Sequence, residues 1–123
     1  GVQTCALPIL VNLINKLIIE ALEPLKIPVS FQKYTGKAKQ YITFHEYLVN
    51  GKAYEDDDET LTSHYVQVDV WSKEDYTDIV EQIKSLLTNK GFKRIDEIDM
   101  YENDTHVYHK GIKFYYLEKR EEI

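Results

Sequence analysis
Cysteine is almost missing from this chain: the 123 residues include one, Cys5, so no disulfide can brace the fold from within. A lone thiol fits a reducing compartment or indifference to redox. No apolar run approaches the roughly 18 residues that a membrane-spanning helix requires. Basic residues are outnumbered 15 to 21, for a formal charge of -6, which excludes a surface that grips nucleic acid by bulk positive charge. Contact with DNA would need a locally basic patch or confinement. The Gly-x-Ser-x-Gly elbow, the phosphate-binding loop and the dinucleotide fingerprint are absent, and Cys5 has no neighbours that would lower a thiol pKa.

The opening ten residues, GVQTCALPIL, carry no charge and only short apolar runs. A secretory signal needs a basic start and about seven or more continuous apolar residues, so this is a poor one. Residues 1–9 reproduce, in one reading frame, the translation of a widely used short-read sequencing adapter. They are expected to be an adapter-derived artefact outside the fold. That leaves 10–123 as a single domain without cysteine, its native start expected upstream.

Val11, Leu13, Ile14, Leu17, Ile18, Ala21 and Leu22 recur at spacings of three and four, the period of one helix face. Asn12, Asn15, Lys16, Glu20 and Glu23 fall opposite. Pro24 should end this helix. Strands are predicted over 29–34 and 41–49, the second with Ile42, Phe44 and Leu48 on one side and Tyr41, Thr43, His45 and Tyr47 on the other. Asn50-Gly51 has the composition of a tight type I′ turn. The run EDDDE, Glu55, Asp56, Asp57, Asp58 and Glu59, repels itself and reads as a solvated loop.

HYVQVDVW over 64–71 alternates cleanly, with Val66, Val68 and Val70 facing one way and Tyr65, Gln67, Asp69 and Trp71 the other. Ser72 and Asp75 resemble a capping box for a second helix carrying Tyr76, Ile79, Val80, Ile83, Leu86 and Leu87, closed by Gly91. Two further strands, 95–101 and 106–117, flank the polar turn Glu102-Asn103-Asp104. The order α-β-β-β-α-β-β implies an α+β fold: a mostly antiparallel sheet of about five strands with two helices packed on one face.

Residues suited to chemistry are scattered. His106 and His109, three apart on a predicted strand, would point to opposite faces, which does not suit one metal ion. The EDDDE run lacks the alternating ligands and the glycine of a calcium loop. Asp69, Glu46 and Glu102 would need folding to bring them together. No catalytic, cofactor or metal residues are therefore assigned. The aromatic residues stand out instead: ten tyrosines and one tryptophan, mostly on strands. With helices covering the valine face, the opposite face would present Tyr41, Tyr47, Tyr65 and Trp71, residue types enriched at protein interfaces. Packing across strands within one chain is the competing account of each ring.

YITFHEY, the segment DDDETLTSHYVQVDVWSKEDYTDIVEQIKSLLTNKGF and the ending YENDTHVYHKGIKFYY together resemble the tail-completion, or tail-terminator, proteins of long-tailed bacteriophages and prophages of Gram-positive bacteria. The similarity runs over 11–118. It implies a structural, non-enzymatic subunit that works without a cofactor and forms a ring, expected to be a hexamer, on the end of the tail tube. The implied partners are further copies of itself, the tail-tube protein and a head-side connector protein, with DNA passing through the lumen without specific binding and no membrane involved. The implied location is the host cytoplasm during assembly and then the virion tail. On this reading the acidic run either lines the lumen, where like charge lets DNA slide past, or docks a partner. Two other classes remain open: another head–tail junction component, and a small metal-dependent enzyme acting on nucleic acid.

Overall fold
The computed structural model describes residues 13–51, 54–55, 58–59 and 61–119. The expected artefact at 1–9 lies outside the described residues, as do Asp56 and Asp57. The chain forms α1 (Leu13–Leu22), β1 (Val29–Phe31), β2 (Gln40–Gly51), β3 (Tyr54–Glu55), β4 (Asp58–Glu59), β5 (Leu61–Ser72), α2 (Thr77–Asn89), β6 (Lys93–Glu102) and β7 (Val107–Lys119). Five strands make one sheet in the order β1-β2-β5-β7-β6, antiparallel throughout except for the pair β1 and β2. The fold is therefore α+β, with a mostly antiparallel sheet.

Both helices lie on one face of that sheet because both carry a single apolar stripe. Ile14, Ile18, Ala21 and Leu22 of α1 and Val80, Ile83 and Leu87 of α2 join Ile42, Phe44, Val66, Val68, Val70, Ile112 and Phe114 in one buried cluster. Pro24 ends α1 as expected, leaving a single 3-10 turn over Glu23–Leu25. Asn15, predicted on the wet side, is buried, because the stripe of this helix is wider than the apolar spacing indicates. At the other end of the core Gly91 adopts a φ of 102°, and the N–H groups of Gly91 and Phe92 return to Thr88 and Leu87. These bonds close α2 in the manner its glycine predicts.

Several local expectations are corrected. The first strand, expected to reach Tyr34, stops at Phe31 because Gln32 takes a positive φ of 66°, and the chain then returns so that β2 pairs with β1 in parallel. Asn50-Gly51 does not make a two-residue turn: β2 runs on until Gly51 opposes Thr62. The connection that follows is not wholly loop, since Tyr54 pairs with Glu59 and Glu55 with Asp58 in a short backbone ladder. Ser72 does not cap α2; its hydroxyl accepts from the N–H of Glu74, and the carboxylate of Asp75 accepts from the N–H and hydroxyl of Thr77 instead. His106 sits in the turn before β7 with a φ of 56°, so it shares no strand with His109.

A bulge at Tyr47 has the largest effect on side-chain placement. Glu46 opposes Val66 and Leu48 opposes Tyr65, so one extra residue is accommodated in β2 between them. Leu48, assigned by alternation to the core side, is exposed as a result. Glu46 stays on the helix-covered side, where its carboxylate meets Nδ1 of His64 at 2.7 Å while Glu118 meets Nε2 at 2.7 Å.

Candidate functional site
The face of the sheet turned away from the helices is built in rows, one residue from each strand. Antiparallel register sets Tyr41 beside Trp71, Trp71 beside His109 and His109 beside Met100. Odd-numbered positions of β5 all point this way because successive side chains of a strand alternate. The rings of the first row stack like coins. Tyr34, brought over by the returning loop before β2, lies 4.4 Å from Tyr41; Tyr41 lies 6.0 Å from Trp71; Trp71 lies 3.7 Å from His109, with 12° between the last two planes. The indole N–H donates to the hydroxyl of Thr43 at 3.1 Å.

Beneath that stack lies a buried polar pair. Asp69, 6% exposed, accepts from Nε2 of His109 at 2.8 Å and from the amide of Gln67 at 2.8 Å. Gly111 stands opposite Asp69, and a Cβ there would come within 3.1 Å of both the carboxylate and the Gln67 amide. The absence of a side chain at 111 is thus what makes room for the pair. His109 is 8% exposed, and its Nδ1 has no hydrogen-bond partner among the described residues; the carboxylate of Glu102 stands 3.8 Å away. Folding therefore brings Asp69 and Glu102 to the same histidine, whereas Glu46 lies on the other side of the sheet.

The far end of the face is aromatic again. Tyr47 and Tyr65 lie 6.1 Å apart, Tyr65 and Tyr115 5.2 Å apart, and the ammonium of Lys113 sits 5.2 Å from the Tyr47 ring centre. Of the four aromatic residues singled out from the sequence, Tyr47 is exposed, while Tyr41, Tyr65 and Trp71 are half-buried by their neighbours. All four face away from the helices. Strand alternation did not single out Ile98 and Met100 of β6, which are 56% and 37% exposed on this same face. The signal in β6 is limited to Ile98 and Met100, two positions apart, because Arg94, Asp96 and Glu102 of the same parity are charged, and alternation alone does not tell which side the helices cover.

At the edge of the stacked row, a cleft of about 540 Å³ opens between the loop before β2 and the turn before β7. Lys37, Lys39 and Lys73 line it with Tyr41, Trp71 and Glu102. The loop is tied down where the Lys73 N–H reaches the Lys39 carbonyl, 3.3 Å away, and where the Ala38 N–H donates to the Tyr34 hydroxyl at 3.1 Å. Of the run Glu55, Asp56, Asp57, Asp58 and Glu59, the structure describes the backbone of Glu55, Asp58 and Glu59, at the opposite end of β2 and β5 from this cleft.

Among the described residues, no group of three or more histidine, cysteine, aspartate or glutamate side chains is placed to hold a metal ion. No helix among them is long and apolar enough to cross a membrane. No protein-family model matches the chain, and no curated protein matches it.

Proposed function
We propose that this chain is a structural subunit that assembles with copies of itself into a ring capping the tail tube of a long-tailed bacteriophage and joining tail to head. The observation that supports it best is the uncovered sheet face. Exposed Ile98, Met100 and Tyr47 there surround a rigid floor of stacked rings and a buried Asp69–His109 pair. Rigid aromatic surfaces lose little side-chain entropy on association, and apolar groups left in water favour being covered. The resemblance of 11–118 to tail-completion proteins supplies the biological setting: self-association, contact with the tail-tube protein on one side and a head-side connector protein on the other, and DNA passing without specific binding. Assembly would take place in the host cytoplasm and leave the subunit at the head-proximal end of the virion tail. The role needs no cofactor and no catalysis.

The test is mass in solution, combined with negative-stain imaging of the subunit alone and with tail-tube protein. Rings at tube ends, expected to be six-fold, support the reading. Tubes that keep growing with the subunit present, with no ring at their ends, overturn it. Co-purification with the connector in place of the tube protein would shift the assignment to another junction component.

A further inference from the structure
We propose that the lysine-lined cleft beside the stacked row is the docking site for the acidic run 55–59 of a second copy of this chain. The inference rests on the self-assembly part of the function proposed above and assigns it a contact. Charge is the first argument. Of the 21 acidic residues, five fall in EDDDE, so outside that run acids and the 15 basic residues nearly balance. The negative excess of the whole chain is thus concentrated in one short segment. The cleft is its complement, with three lysines against the single carboxylate of Glu102. Lys37, Lys39 and Lys73 are exposed, and among the described residues none of them is in an ion pair.

Geometry is the second argument. Gly51 opposes Thr62 at one end of the β2–β5 ladder, and Gln40 opposes Ser72 at the other. Each strand is 12 residues long, which places the ends roughly 37 Å apart. The nine residues between Gly51 and Leu61 are tethered at both ends and can reach out about 18 Å at most, half the distance to the cleft. The run of one chain therefore cannot fill the cleft of the same chain. Two complementary surfaces at opposite ends of one subunit make a head-to-tail contact, which propagates and closes into a ring if the rotation permits.

The rings bordering the cleft bear on what it binds. Tyr41 stacks on Tyr34, with Trp71 6.0 Å away, and Trp71 stacks on His109. Single-stranded nucleic acid is held by bases stacking on free aromatic faces, and here Tyr41 and Trp71 each already have one face taken by a neighbouring ring, Tyr34 at 4.4 Å and His109 at 3.7 Å. What the cleft offers an incoming chain is ammonium groups, which suit a run of carboxylates.

The experiment uses the full chain with Asp56→Asn, Asp57→Asn and Asp58→Asn, which frees each cleft from competition by the run of another copy. A fluorescent peptide spanning 52–60 is titrated against it by anisotropy at several salt concentrations. Saturable binding that weakens as salt rises is expected. Adding Lys37→Glu, Lys39→Glu and Lys73→Glu should weaken it at least tenfold, with thermal stability little changed since the three side chains are exposed. In a second arm, a cleft-reversed chain is mixed with one whose run is reversed by Asp56→Lys, Asp57→Lys and Asp58→Lys. Each alone should lose self-association, and the equimolar mixture should regain it.

No peptide binding, or binding unaffected by the lysine reversals, overturns the proposal. Displacement of the peptide by a single-stranded oligonucleotide that binds more tightly at the same salt also overturns it and makes the cleft a nucleic-acid site. The two readings fail separately. Rings on tail tubes without peptide binding would discard only this contact, and peptide binding without rings would discard only the tail assignment.

Discussion
The imidazole of His109 lies flat against the indole of Trp71, ring centres 3.7 Å apart, while its Nε2 is held by the buried carboxylate of Asp69 at 2.8 Å. One side chain thus serves two neighbours on β5 that are two residues apart and therefore point to the same face. Gly111, two residues along β7 from His109, leaves the space in which Asp69 and Gln67 meet. The uncovered face is consequently rigid where an ordinary solvent-facing sheet surface would be a set of independent side chains.

Removing the imidazole should show this directly. His109→Ala leaves the Asp69 carboxylate buried with only the Gln67 amide and opens one face of the indole. The expected cost is about 3 kcal/mol, in the range for leaving a buried carboxylate short of a hydrogen-bond donor. Denaturant unfolding measures it. Trp71 is the single tryptophan, so its emission reports the same site and should shift to the red in the folded variant. A loss under about 1 kcal/mol with unchanged emission would mean that the pair contributes nothing to the rigidity of the face.

How much of this could be read beforehand depends on the kind of regularity involved. Val66, Val68 and Val70 alternate without interruption, and the strand, its buried side and the facing of Tyr65 and Trp71 follow from that period alone. The same rule fails at Leu48, because one extra residue at Tyr47 shifts all that follows and nothing in YITFHEYLVN marks where a bulge will fall. The Asp69–His109 pair is 40 residues apart in sequence and depends on the register between β5 and β7. Alternation assigns a residue to a face; it does not assign its neighbour on the next strand. The lysine cleft was hidden for a similar reason, since Lys37, Lys39 and Lys73 meet only because the chain returns to run parallel beside β1.

On the helix side, Glu97 joins α2 to β6 and β7. Its carboxylate accepts from Lys84 at 3.0 Å and faces Lys110 at 3.0 Å and Arg94 at 3.2 Å. The hydrogen bonds from Lys84 and then Lys110 outweigh partial burial and hold this carboxyl below the usual glutamate value of 4.5. A carboxyl whose folded pKa is depressed contributes stability that is fully present above its unfolded value and is lost as pH falls through the folded one. Glu97→Gln should therefore cost about 1 kcal/mol at neutral pH, and the gap from the parent should close below about pH 4. Urea titrations across that range measure both. A gap that stays constant down to acid would remove the ion-pair account.

Tyr76, just ahead of α2, donates its hydroxyl to Asp99 at 2.9 Å. Burial, followed by that hydrogen bond, pushes its phenol up to about 12 from the ordinary 10.0. The sign is that of a group whose folded value is raised: its contribution is complete below about pH 10 and is lost between about 10 and 12. Tyr76→Phe should abolish that part of the alkaline decline in stability. In the folded protein, ultraviolet titration of tyrosinate should show one fewer late-ionising phenol. An unchanged alkaline limb would place the loss of stability elsewhere.

The remaining prediction concerns the exposed edge of the uncovered face. Ile98 pairs with Gly111 and Met100 with His109, so both stand beside the rigid row yet keep much of their surface in water. Ile98→Thr with Met100→Gln preserves branching or length at each position and removes mainly surface that is already wet, so the folded subunit should lose under about 1 kcal/mol. If this face is covered in the assembled ring, the same two changes remove apolar area at the contact at about 25 cal/mol for every Å² that association would have buried. Because each subunit of a ring repeats the contact, a deficit of about 1.4 kcal/mol per interface weakens every junction tenfold. Sedimentation should then show subunits of normal stability whose assembly requires at least tenfold higher concentration. Assembly at the parent's concentration would show that the edge of this face remains in water and that the subunits meet elsewhere.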